Sequence, residues 1–226
     1  MSIFCLFDVP KPIHRLLDLA CGQGASLLHW QNNYHIHKIS AVELQQECVK
    51  HIQAKLFPPV DIHCESFLNL KIISFQQKFD VAVCIDAAYH CNLNLFLKLV
   101  NSVLNSNGKL GFHYLMLSDE WQNLNSLQKK KYKWLLKAAD VNLEHLMMHQ
   151  EMTQTLEKNE FKDVQIVDLS KQVFAGFANY VKDTLNLNTQ TNKLDSFKIE
   201  MTAKLCSKLY EDGLVKYVQV TAKNNN

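Results

Sequence analysis

The sequence holds no apolar run approaching the roughly 18 residues that a membrane-spanning helix needs. A spanning helix is therefore excluded, and no membrane partner is expected. The start, Met1–Pro12, has a short apolar stretch but no basic segment ahead of it, which argues against a signal peptide. No C-x-x-C pair occurs among the seven cysteines, Cys5, Cys21, Cys48, Cys64, Cys84, Cys91 and Cys206. An odd number of cysteines, mostly in apolar contexts, reads as reduced, buried thiols in a cytoplasmic protein. Charge of one sign is also missing: 24 Lys and Arg against 22 Asp and Glu leave +2 at pH 7. A dedicated nucleic-acid binder carries a strongly basic domain or stripe, so nucleic acid is not the expected partner. There are no internal repeats and no long linker. The 226 residues, 47% of them hydrophobic, suffice for one domain, 1–226, with its own core.

Strand-like and helix-like segments alternate almost from the start, which predicts an α/β fold with a parallel sheet covered by helices. Strands are expected at Arg15–Leu19, Lys38–Val42, Asp61–Cys64, Phe79–Ile85, Lys109–Tyr114, Lys162–Asp168 and Leu214–Thr221. The unbroken apolar run after Asp80 suits a central strand buried on both faces. Helices are expected at Ala25–Trp30, Leu44–Leu56, Leu93–Leu104, Phe174–Leu185 and Lys193–Tyr210. In the second of these, Leu44, Cys48, Ile52 and Leu56 share one face, and Phe57-Pro58-Pro59 stops the helix. Asn105–Gly108 reads as a turn. Ser118–Lys158 is long, polar and helix-prone; it interrupts the rhythm and makes residues 118–160 a candidate lid or insertion. Lys223–Asn226 reads as a frayed polar tail.

The segment Leu16–Gly24 runs from an apolar strand into a tight glycine turn and then a helix. In open α/β sheets, ligands bind beyond the carboxyl ends of the strands. Gly22 and Gly24 allow a close backbone approach to a ligand. Glu43 ends the second strand about 20 residues on, where an acid can accept both hydroxyls of an adenosine ribose. Cys64-Glu65-Ser66-Phe67 ends the third strand with polar groups beside an aromatic, a set able to read an adenine. A dinucleotide fingerprint needs a third glycine, and that position is Leu27. The Asp18 carboxylate opposes a pyrophosphate and suits a cationic ligand.

Leu17–Gly24 resembles the first motif of the class I S-adenosylmethionine-dependent methyltransferases. Ser40–Leu44 resembles the second, Cys64–Phe67 the third-strand acidic site, Phe79–Asp86 the fourth-strand motif and Val103–Leu110 the turn before the fifth strand. They occur in family order. The resemblance implies a Rossmann-like, seven-stranded, mostly parallel sheet with a reversed last strand, helices on both faces and a helical insertion after the fifth strand. It implies S-adenosyl-L-methionine as cofactor and a small molecule as methyl acceptor. Asp18, Ala20, Cys21, Gly22 and Gly24 would line the methionine end. Glu43 would hold the ribose, and Leu44 would pack on the adenine. Glu65, Ser66 and Phe67 would read the adenine, and Ile85 and Asp86 would close the floor. Only about fifteen residues precede the first strand, where small-molecule members often carry covering helices. That implies an open site or a protein partner that completes it, and it keeps two alternatives: a non-catalytic binding or scaffold subunit, or an RNA or protein methyltransferase.

Asp86–His90 follows the fourth strand, where acceptor meets cofactor in this family. An Asn/Asp-Pro-Pro-aromatic signature is absent, which argues against the exocyclic amine of adenine and the side-chain amide of glutamine as acceptors. His90 is the candidate general base, since an unperturbed imidazole titrates near operating pH, and Tyr89 would position the acceptor. The competing reading makes His90 a structural group. His113 is a second candidate, with a satisfied, half-buried histidine as the alternative. His145 and His149 stand at helical spacing, but no third ligand lies nearby and no metal is assigned. His35-x-His37 is expected in a loop. Lys129-Lys130-Lys131-Tyr132-Lys133-Trp134 reads as a solvated helix face with Tyr132 and Trp134 turned inward.

Overall fold

The structure, a computed structural model, describes residues 13–56, 58–70, 75–185 and 193–226. Phe57, Cys5 and the segment Met1–Pro12 lie outside the described residues, and with them the expectations placed there. The first half repeats strand and helix in turn: β1 (Arg15–Leu19), α1 (Ala25–Tyr34), β2 (Lys38–Glu43), α2 (Gln46–Lys55), β3 (Asp61–Cys64), β4 (Phe79–Cys84), α3 (Leu93–Val103) and β5 (Leu104–Leu117). Then come α4 (Ser126–Lys137), α5 (His149–Lys158), β6 (Phe161–Asp168), α6 (Gly176–Leu185), α7 (Lys193–Asp212) and β7 (Val215–Asn224). The seven strands form one sheet in the order β3-β2-β1-β4-β5-β7-β6, with helices on both faces.

Strands β1 to β5 pair in parallel, with Leu17 opposite Ser40 of β2 and Ala82 of β4. β7 runs against its neighbours: Asn225 bonds Glu160 at one end of the pairing with β6, and Leu169 bonds Tyr217 at the other. Against β5, the Asn224 side chain meets Leu104 while Ser118 meets Leu214, again opposed. The expected reversed last strand is therefore present.

Side-chain alternation distributes the core. Leu16, Ala41, Val81 and Val83 point to one face, where Leu27 and Trp30 of α1 and Ile52 of α2 cover them. Helix α3 buries Leu93, Phe96, Leu97 and Val100 at the spacing of one helical face. Phe96 meets Phe112 of β5 with ring centroids 5.4 Å apart. Asn92 caps α3, its Oδ1 accepting from the N–H groups of Asn94 (3.0 Å) and Leu95 (3.3 Å).

Two compact units are distinguished within the chain. The first combines the chain up to His113 with Thr153–Ile166 and Val220–Asn226; the second combines Tyr114–Met152 with Val167–Gln219.

Three expectations change. The turn at Asn105–Gly108 lies inside β5: Phe79 faces Leu104, yet Val81 faces Lys109, so the turn is an excursion within the strand. Asn107 takes φ +58° there. The polar tail is not frayed at Asn224, which is fully buried; its side chain donates to the carbonyls of Leu104 (3.5 Å) and Asn105 (3.2 Å) and accepts from Asn101 Nδ2 (3.1 Å). Cys64 is exposed rather than buried, although all six described cysteines are free thiols.

Candidate cofactor site

The carboxyl ends of β1, β2 and β3 are knit together by residues that the sequence singles out, with the end of β4 beside β1. Beyond Leu19 the chain turns sharply, with Ala20, Gly22 and Gly24 all at positive φ. The turn is tied to β2: the N–H groups of Ala20 (2.8 Å) and Cys21 (3.3 Å) both donate to the Val42 carbonyl. Glu43 completes the tie. Its Oε2 accepts from Gly22 N–H at 2.9 Å, and its Oε1 accepts from Gln45 N–H at 2.8 Å. The Glu43 carbonyl in turn accepts from Glu65 N–H at 3.1 Å, which brings the end of β3 alongside.

The two glycines have different tasks. A Cβ on Gly22 would meet nothing within 4 Å, so the turn opens onto free space there. A Cβ on Gly24 would lie 2.8 Å from Ile52 Cγ1, so this glycine serves the packing of α2 rather than the approach of a ligand. Leu44, next to the tie, leaves 69% of its surface exposed. An apolar side chain held open at a strand end is a platform for a flat apolar ring.

Asp18 sits beneath the turn. It is buried, and its Oδ2 accepts from Trp30 Nε1 of α1 at 2.8 Å. Burial pushes its pKa up from 3.8 to about 6, with hydrogen bonds from Ser26 and Trp30 opposing the rise. Burial is the main reason that the pKa of Cys21 is raised, and Asp18 and Glu43 add to it, so both carboxylates are within electrostatic reach of that thiol. Cys84, at the end of β4, is pushed well up mainly by burial, then by Cys91, Asp18 and Asp86. The carboxylates of Asp18 and Asp86 are therefore both within electrostatic reach of Cys84.

The remaining residues fall around this centre. Ser66 caps a single turn of 3-10 helix, Phe67–Asn69, with its Oγ accepting from Leu68 N–H at 3.3 Å. Phe67 rests edge-on against Phe96, centroids 5.9 Å apart, which gives it a packing partner in α3. Ile85 is half-buried and Asp86 is exposed at φ +58°. Tyr89 and His90 follow on a turn of 3-10 helix, Ala88–His90, with ring centroids 4.5 Å apart; His90 is exposed.

One contributor escaped sequence reasoning: Trp30 holds Asp18, and only its spacing on the buried face of α1 hints at that. At the opposite, amino, ends of the strands Asp80 ties β4 to two other segments: its Oδ2 accepts from the N–H groups of His14 and Arg15, both at 3.0 Å, and its Oδ1 from Asn105 Nδ2 at 2.9 Å. Two histidine expectations are corrected. His113 lies inside β5, which continues to Leu117, rather than at its end. His145 closes a 3-10 turn and His149 begins α5, so they do not share one helix.

Residues 16–108 match a family described as a methyltransferase domain. Among curated proteins no sequence matches the chain. Solved structures of similar fold include the geranyl diphosphate C-methyltransferase of Streptomyces coelicolor, bound to Mg2+, geranyl diphosphate and S-adenosyl-L-homocysteine. It is 14% identical, with 98% of this chain and 76% of that one covered and a TM-score of 0.71. A phosphoethanolamine N-methyltransferase of Haemonchus contortus is 13% identical with a TM-score of 0.80; the match covers 99% of this chain and about half, 52%, of that one. A cyclopropane synthase of Mycobacterium tuberculosis is 17% identical, with 95% and 79% covered and a TM-score of 0.72. The chain shares its fold with these structures, and the match to the methyltransferase-domain family covers residues 16–108 of its 226.

Proposed function

We propose that the protein transfers a methyl group from S-adenosyl-L-methionine to a small-molecule acceptor, with the ends of β1 to β4 as the cofactor site. The observation that carries this reading is the Glu43 tie, which joins three strand ends beside open space at Gly22 and an exposed Leu44. The match over residues 16–108 supports it, as do the neighbours bound to S-adenosyl-L-homocysteine.

The residues present fit this cofactor. Gly22 leaves room beside the turn for its methionine end, with Ala20 and Cys21 lining the same wall. The lone pairs of Glu43 not taken by backbone accept the ribose hydroxyls. Leu44 packs on the adenine, whose edge meets Glu65 and the Ser66 hydroxyl, with Phe67 alongside; Ile85 and Asp86 close the floor. Asp18 is too buried for broad contact. It acts as a fixed negative charge under the turn, which favours a cation in a site of low dielectric. The bound cofactor supplies a methyl group on a positively charged sulfur.

The chain's own task is alignment and exclusion of water. Tyr89 orients the acceptor, and a ring nitrogen of His90 takes its proton where the nucleophile must lose one. Residues 118–160 are assigned the role of acceptor lid within a single functional domain, supported by their position between β5 and β6.

Calorimetric titration with S-adenosyl-L-methionine and S-adenosyl-L-homocysteine tests the site. Binding of both is expected. Leu44→Ala, at an exposed position, should weaken it about ten-fold, since burying a leucine contributes roughly 1.5–3 kcal/mol. No heat with either ligand overturns the proposal. Labelled-methyl transfer to a metabolite extract tests turnover, and His90→Ala should lower kcat by about a hundred-fold or more while leaving cofactor affinity unchanged. Cofactor binding with no transfer to any component would instead support the non-catalytic subunit.

A further inference from the structure

The lysine-rich run that the methyl-transfer reading leaves unused lies on α4, and the structure overturns half of what its sequence predicts. Tyr132 is buried, with its ring 5.8 Å from that of Trp121. Trp134 is not turned inward: 65% of its surface is exposed. Leu127, at 77%, is the most exposed large hydrophobic side chain among the described residues. Leu127, Lys130, Lys131 and Trp134 stand at i, i+3, i+4 and i+7, so they form one outward stripe. Lys130 and Lys131 flank the Leu–Trp line on opposite sides. Lys137 Nζ lies 5.7 Å from the centre of the Trp134 ring.

The helix carries five lysines, 129, 130, 131, 133 and 137, and no acidic residue. Only Lys133 forms an ion pair among the described residues, with Glu144 at 3.0 Å. The helix is held in this orientation. Tyr132 and Leu136 anchor its inner face. A capping box between Asn125 and Gln128, with bonds of 2.9 and 3.0 Å, fixes the turn that carries Leu127.

We propose that this face of α4 docks the protein reversibly on the surface of an anionic lipid bilayer. Charge complementarity points to an anionic partner, because lysines surround the stripe and no carboxylate lies within the helix. The apolar members decide between partners. A nucleic acid gives Trp134 a base to stack on but gives an aliphatic Leu127 nothing to enter. A bilayer surface accepts both: tryptophan settles at the headgroup level, leucine enters the acyl boundary and the lysines meet lipid phosphates. This departs from the sequence expectation of no membrane partner, which rested on the lack of a spanning run; docking on a surface needs only an exposed apolar and basic face.

Sedimentation of the full chain with vesicles tests the proposal. Binding is expected to vesicles of phosphatidylserine and phosphatidylcholine, not to phosphatidylcholine alone, and should fade as added salt screens exposed charge. Trp30 and Trp121 are only 2% and 7% exposed, so a blue shift of tryptophan emission on binding reports Trp134 and should vanish in Trp134→Phe. Replacing Lys130 and Lys131 by serine should weaken binding by about five-fold for each lysine. Leu127→Ser should weaken it without changing its salt dependence. Circular dichroism of these surface variants should match the parent. Equal binding to both vesicle types, no binding to either, variants that bind like the parent, or binding to polyuridylate but not to vesicles would each overturn the proposal.

Discussion

Asp18 places an ionisable group beneath the glycine turn where water scarcely reaches it. Its raised pKa means that the folded protein holds the proton where the unfolded chain has lost it, between pH 3.8 and about 6. The stability linked to this group is therefore complete at the acidic end and lost as pH rises through about 6. A shift of this size corresponds to about 3 kcal/mol. Asp18→Asn should flatten that part of the stability–pH profile, measured by urea unfolding from pH 4 to 7; an unchanged slope would assign it to another group. A cationic ligand favours the ionised form, so affinity for S-adenosyl-L-methionine should rise up to about pH 6 and then level off. The glycines separate packing from binding. Gly24→Ala should cost roughly 2–4 kcal/mol of stability, from overpacking on Ile52 and a strained φ of +84°. Gly22→Ala should cost only about 1–2 kcal/mol yet abolish ligand binding measured by calorimetry. The sequence marks both glycines alike, because the string G-Q-G does not record that Ile52 lies over only one of them. It likewise marks Ser66 as a reader of adenine, without the capping bond that the same hydroxyl accepts.

At the scale of elements, strand order was legible throughout and β1 and β3 fall at their expected bounds, whereas α4 and α5 were read as one helix-prone stretch and α2 begins at Gln46 rather than at Leu44. Period-two and period-3.6 patterns report which faces are apolar, and in the first half of the chain those faces have one layer to meet. Where the pattern is weaker, so was the reading. On α4 the periodicity identified Tyr132 correctly, but a mixed Lys–aromatic run does not fix which aromatic faces out. A π-helical turn, Lys171–Ala175, leads into α6 and has no sequence signal distinct from an ordinary helix. The end of β7 was misread because its residues are polar. Asn224 is buried because its amide satisfies backbone carbonyls of β5 and the side chain of Asn101, a pairing that polarity alone conceals. Asn224→Ala should cost about 2 kcal/mol, since it leaves buried partners unsatisfied. Urea unfolding checks this; a loss under half that value would place the clamp in water.

For the molecule as a whole, motif order disclosed the fold because four of the five motifs reach the carboxyl end of a strand, β1 to β4, and the sheet brings those ends together. The motifs name no acceptor, because they lie in the segments assigned to the cofactor and to the sheet itself. Ligand linkage offers a global test of the site. S-adenosyl-L-homocysteine at a hundred-fold excess over its Kd should add about 2.7 kcal/mol of stability and raise Tm by several degrees. Glu43→Ala should abolish the shift. The sheet order has a further consequence for biosynthesis. β7 is translated after every other strand, yet it lies inside the sheet between β5 and β6. Until it leaves the ribosome, β5 presents a long unpaired edge and β6 has no strand beside it, a state open to aggregation. A chain cut before β7 is therefore expected to aggregate rather than to fold as a shortened domain.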